Sequence, residues 1–199
     1  MTVSLRRAAR MGLIAGLAAT VSACGVNSIP TKEEDVKAKW GDVENQYQRR
    51  ADLIPNLVAT VKGFAAQEKD VLESVTKARA SATQVTVDPT KLSDPAQLAA
   101  FDQAQGALSQ SLGRLLVTVE KYPELKSNEN FLQLQSQLEG TENRIAVARR
   151  DYNISVQGYN TEIRTFPSVV AAKVIYGSKP IAPFKATTVN AEKAPEVKF

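Results

Sequence analysis

From Val36 onward the apolar residues of this 199-residue chain recur at three- and four-residue steps, and no stretch alternates with a period of two. That spacing gives each helix one apolar stripe and leaves a β-sheet no face to bury. The first stripe includes Trp40, Val43, Tyr47, Ile54, Leu57, Val61, Phe64 and Val75, and ends near Ala82. The second is a nearly strict heptad seam through Leu98, Phe101, Leu108, Leu112, Leu115, Val119 and Tyr122, flawed only at Gln105. The third runs from Phe131 through Leu138, Ile145, Tyr152, Val156, Tyr159 and Ile163 to Phe166, and its shift from Ser155 to Val156 is the drift of a 3.6-residue helix carrying a seven-residue pattern. Three long helices with short links favour antiparallel neighbours. The fold expected is therefore all-α, an elongated antiparallel helical bundle of four-helix-bundle type.

Helix ends are read from capping chemistry. Thr31 to Glu34 has the form of a capping box and predicts a start at Thr31, which sets Glu33, Glu34 and Asp35 in a first turn where they complement the helix dipole. Asp94, Pro95 and Gln97 predict the next start, and Ser127 the third, with stops at Pro123 and Pro167. Pro55 lies inside the first stripe, where it removes one ladder bond and either ends or bends the helix. Asp52 to Leu57 contains no glycine and no polar loop, which favours a bend. Residues 84–94 read as a connection, and 168–176 as a short last helix. Residues 177–199, with Pro180, Pro183 and Pro195, read as an extended arm that packs partly and then frays.

Ahead of the bundle, Arg6, Arg7 and Arg10 precede an apolar run from Met11 to Ala23, followed by Cys24, the only cysteine. Thirteen helical residues cover roughly 20 Å, short of the ~30 Å hydrocarbon core, so the run reads as a signal peptide rather than a spanning helix. Small residues Ser22 and Ala23 before a thiol suggest cleavage at Cys24 and its modification with diacylglycerol and an N-acyl chain, an anchor that is effectively permanent. The expected organisation is a signal peptide at 1–23, a tether at 24–30, a bundle at 31–176 and an arm at 177–199. The signal holds three of the 25 basic residues and none of the 21 acidic ones, so the remainder is close to charge-balanced. Without a basic excess, nucleic acid is excluded as a partner.

Three strings carry a resemblance: WGDVENQYQRRADLIPNLVATVKGFAAQE from Trp40, YPELKSNENFLQLQSQLEGTENRIAVARRDYN from Tyr122, and YNTEIRTFP from Tyr159. Together they resemble the LemA family of bacterial envelope proteins over roughly residues 31–185. The resemblance implies an antiparallel four-helix bundle facing the periplasm, with no assigned catalysis. Phe64 and Gln67 stand where the family often has tyrosine and histidine, and a lipobox replaces the spanning N-terminal helix of many members. Gly25 in place of a retention aspartate favours the outer over the inner membrane.

The chain contains no histidine, which removes the usual base for a nucleophile and the Glu-x-x-His pairs of di-iron bundles. Its one thiol is committed to lipid. No catalytic residue, metal or cofactor is expected, and Glu33, Glu34 and Asp35 read as a helix start rather than a cation site. Arg49, Arg50, Asp52 and Asn56 surround Pro55, and their expected role is to satisfy freed carbonyls and to pair with acids such as Glu142, with Asp52→Ala and Asn56→Ala costing about 1–3 kcal/mol each. The Tyr152-Asn153 and Tyr159-Asn160 repeat reads as core packing. Between Pro95 and Lys121 only Asp102, Arg114, Glu120 and Lys121 are charged, against 18 charged residues between Lys32 and Arg79. A neutral polar face suits the centre of a protein contact, so Gln103, Ser109 and Gln110 are the candidate interaction face, for an envelope partner or for self-association. The function expected is a lipid-anchored, non-enzymatic scaffold, with a carrier of a small apolar or lipid ligand between bundle helices as the alternative.

Overall fold

The computed structural model describes residues 26–185, and Cys24 with the rest of the expected signal lies outside them. Among the described residues the α-helices are, in order, α1 Ser28–Phe64, α2 Lys69–Gln84, α3 Pro95–Val119, α4 Pro123–Lys126, α5 Glu129–Glu162 and α6 Ser168–Ala171. A 3₁₀ turn covers Pro89–Lys91, and a π-helical turn continues α6 over Ala172–Tyr176. The all-α class holds.

α1 and α5 are the long pair, packed together along the bundle. α2 folds back against the C-terminal half of α1 and in turn carries α3. The apolar stripes meet in two clusters. One, at the end where α1 begins, centres on Trp40 with Phe101, Tyr152 and Phe184. The other, at the far end, joins Leu57 and Val61 to Leu108, Leu115 and Phe131.

The first stripe is not one helix. Helix α1 passes through Pro55 without a break, but the chain reverses ten residues later at Ala65 to Glu68, and Ala65 is fully buried in the turn. The apolar spacing persists across that reversal because α2 reuses the same core, which is why the sequence reads continuously. Helix α1 also begins three residues before Thr31. The Thr31 hydroxyl donates to the Asn27 carbonyl at 2.8 Å instead of capping. Glu33, Glu34 and Asp35 therefore lie beyond the first turn, which carries no acid. Glu33 pairs with Lys37 at 3.0 Å.

Asp94 caps α3 as expected, accepting from Ala96 N at 2.9 Å. At the third start the cap is Asn128, accepting from Phe131 N, while Ser127 closes α4. The last stripe ends early too: α5 stops at Glu162, and Phe166, expected in the core, is 81% exposed.

Candidate functional site

Two polar arrangements stand out in the bundle, a layer inside the core and a clip on α5. Arg50 is 1% exposed and lies between the two apolar clusters. Its Nη1 donates to Ser109 Oγ and Glu142 Oε1, both at 2.9 Å. Its Nη2 donates to Gln105 Oε1 at 2.6 Å and to the Gln105 carbonyl at 3.3 Å. Gln105, the flaw in the heptad seam, is thus the buried acceptor for a buried cation, and its own amide donates to Ala82 O. The expected Arg50–Glu142 pairing is present.

Around Pro55 the residue roles differ from expectation. A proline at 55 leaves the Ala51 carbonyl without its helical N–H. Arg79 on α2 supplies the donor, its Nε reaching Ala51 O at 2.8 Å. Asp52 and Asn56 are exposed, and Asp52 does no more than accept from Gln48 one turn back. Their expected stabilising role is withdrawn, since neither reaches a freed carbonyl.

The Tyr-Asn repeat carries more than packing. Tyr152 and Tyr159 are buried, and the two asparagines beside them hold the segment that follows Gly177. Asn160 Nδ2 donates to Ile181 O at 2.8 Å while Ile181 N donates to Asn160 Oδ1 at 2.9 Å. Asn153 and Phe184 repeat the exchange at 3.1 and 2.9 Å. Each side-chain amide thus satisfies both backbone groups of one residue, as a partner strand would in an antiparallel pair. The spacing is commensurate: seven helical residues rise about 10.5 Å, and three residues of extended chain span about 10 Å. Tyr152 Oη donates to the Ala182 carbonyl at 3.1 Å. Burial pushes that hydroxyl above the ordinary tyrosine range, so it stays a donor. Arg149 reaches Lys185 O at 3.1 Å and covers the Phe184 ring at 4.3 Å. Phe184 in turn stacks on Trp40, with ring centroids 5.8 Å apart. The expected arm therefore packs as a fixed strap over 178–185. The signal available in the sequence was the seven-residue repeat of asparagine on one helix face.

Below the strap, Glu162 accepts from the Ser168 hydroxyl at 2.6 Å and from Ser28. Those two bonds, Ser168 first, hold its carboxyl below the usual glutamate range. Its contribution to stability is complete above that range and is lost as pH falls through the lowered folded value. Glu162→Gln should accordingly flatten the acid limb of the melting temperature against pH, and an unchanged limb would count against this linkage.

Of the expected interaction face, Gln103 and Gln110 stand exposed on α3, with Ala100, Ala107 and Val117 on the same stripe. Ser109 is exposed as well, but its hydroxyl accepts from Arg50 Nη1. Among the described residues no group of three or more acidic, histidine or cysteine side chains could hold a metal ion. No helix among them is long and apolar enough to cross a membrane. A cavity of about 200 Å³ opens at the base between Lys37, Tyr159 and Lys179.

The LemA family model matches residues 39–199. Two magnetosome proteins of Paramagnetospirillum magneticum, MamQ 1 and MamQ 2, are each 30% identical over 157 residues, covering 71% of this chain and 58% of their own length. Protein LemA of Metamycoplasma hominis is 24% identical over 167 residues, 82% of this chain and 70% of that protein. The chain thus spans less than two thirds of the magnetosome proteins it matches.

Proposed function

The chain belongs to the LemA family, and from that premise we propose that it is a membrane-anchored, non-enzymatic scaffold of the cell envelope. The reading extends to a signal peptide over 1–23, lipid attachment at Cys24, and a periplasmic body, with the outer membrane favoured over the inner. One observation carries the scaffold role. The outer stripe of α3, through Ala100, Gln103, Ala107, Gln110 and Val117, is exposed, with Arg114 the one charge along it. A partner or a second copy that covers this stripe would have little charge to desolvate, and its small side chains allow close approach.

A photo-crosslinking residue at Gln103 or Gln110, activated in intact cells, should give one discrete protein adduct. A probe at Lys77, exposed on α2, should not. Adducts of equal intensity at both positions, or none at either, would sink the scaffold reading. Co-purified lipid with no protein adduct would shift it to the ligand carrier. Separately, Cys24→Ser should move the chain from the membrane to the soluble fraction if the anchor is as proposed.

A further inference from the structure

Large apolar side chains left in solvent concentrate at one end of the bundle. Phe166 is 81% exposed, Val170 54%, Val174 79% and Ile175 61%. All four belong to one short stretch: Phe166 just ahead of α6, Val170 in α6, and Val174 and Ile175 in the π-helical turn that continues it. The residues of this segment that face the core are small: Ser168, Ala171 and Ala172. Its amphipathicity is inverted, with the small groups inward and the large apolar ones outward.

Charge and chain path point to what covers this side. From Ile163 to Lys185 the chain carries Arg164, Lys173, Lys179 and Lys185 and no acidic residue. The acid just before, Glu162, is turned onto the hydroxyls of Ser28 and Ser168. Across the base cavity, Glu33 and Glu34 share Lys37, at 3.0 and 2.7 Å. Those same Glu162 bonds set the start of α1 beside α6, and Val26 packs into the cluster there. Cys24, the proposed lipid site, stands two residues before Val26 in the chain, so the anchor joins the body at the end that bears the apolar side chains.

We propose that this end is a membrane-docking face, in which Phe166, Val170, Val174 and Ile175 enter the interfacial layer of the bilayer that holds the N-terminus. Arg164, Lys173 and Lys179 then lie among anionic headgroups. Apolar burial and headgroup attraction act together at such a face. The proposal rests on the anchored reading above and adds an orientation to it: the bundle stands on the membrane by a fixed foot instead of swinging on its tether.

The test uses the full chain in vesicles containing anionic phosphatidylglycerol. A fluorophore is attached at Val174→Cys, and at Val117→Cys as control; both positions are exposed, so neither change should disturb folding, and helical content checks this. The label at 174 should be quenched several-fold more by lipid-borne nitroxide than the label at 117, and should be shielded from aqueous iodide. In vesicles of neutral phosphatidylcholine the shielding should weaken; equal shielding would remove the headgroup half of the proposal. A chain that floats with the vesicles while its 174 label meets iodide as freely as the 117 label overturns the docking face and leaves the anchor intact. A chain that does not float overturns both. Ending the chain after Lys185 should leave the shielding unchanged, whereas its loss would show that residues 186–199 cover the patch and would overturn the proposal.

Discussion

Arg50→Ala should destabilise the bundle by about 3–5 kcal/mol. The reasons are separable. Removing the guanidinium leaves the buried Gln105 Oε1 without its donor, and an orphaned buried acceptor costs about 1–3 kcal/mol. The emptied volume of a long side chain that is 1% exposed adds about 2 kcal/mol more. The ion pair itself contributes less, since the Glu142 side chain is 48% exposed and can return to water. At about 2–4 °C per kcal/mol for a domain of this size, the melting temperature should fall by roughly 10 °C. Glu142→Gln, which keeps an acceptor, should cost only about 1 kcal/mol. The informative control is Arg50→Met with Gln105→Leu, which replaces the polar layer by apolar groups and should recover most of the loss. A double variant as unstable as Arg50→Ala would show that the layer contributes something other than hydrogen-bond satisfaction. A wild-type melting temperature in Arg50→Ala would refute the account outright.

The second large effect is expected at the strap. Phe184→Ala removes a ring that touches Trp40 and Tyr152, and a buried phenylalanine is worth about 3–5 kcal/mol. An extended segment near the chain end can peel away without unfolding the bundle, so the loss should appear as release of 178–185 and only partly in the global midpoint. Backbone amides of Ile181 and Phe184 should exchange with solvent far faster, and emission from the single tryptophan should shift as water reaches Trp40. Asn153→Ala with Asn160→Ala removes four hydrogen bonds at about 1 kcal/mol each. It should release the strap to a similar degree with Phe184 unchanged. If both variants kept wild-type exchange at Ile181 and Phe184, the strap would be held by something other than the ring and the two amides.

How much of this was legible in the sequence depends on the range of the interaction. Periodicity is local, so the long helices, the Asp94 cap and the seam of α3 could be read residue by residue. Gln105 was visible as a flaw, but its partner lies 55 residues away on another helix, and no spacing rule reaches that far. The turn at Ala65 to Glu68 was hidden because it uses buried alanine where turn chemistry would place glycine or asparagine. Arg79 was missed at the freed carbonyl of Ala51 because it is 28 residues distant, while the polar residues beside Pro55 were nearer in sequence and farther in effect. The asparagine clip is the middle case. Its seven-residue period was on the page, but its meaning required the later segment Ile181-Ala182-Pro183-Phe184, whose three-residue step matches it.

The length of α1 has a consequence of its own. Its 37 residues, at about 1.5 Å each, carry the Ala65 reversal roughly 55 Å from Ser28. Counter-ions damp electrostatic potentials over about 8 Å at physiological salt. If the N-terminal end rests on a charged lipid surface, the opposite tip lies many such lengths beyond it, and whatever meets that tip would sense the protein's own charges and none of the lipid's.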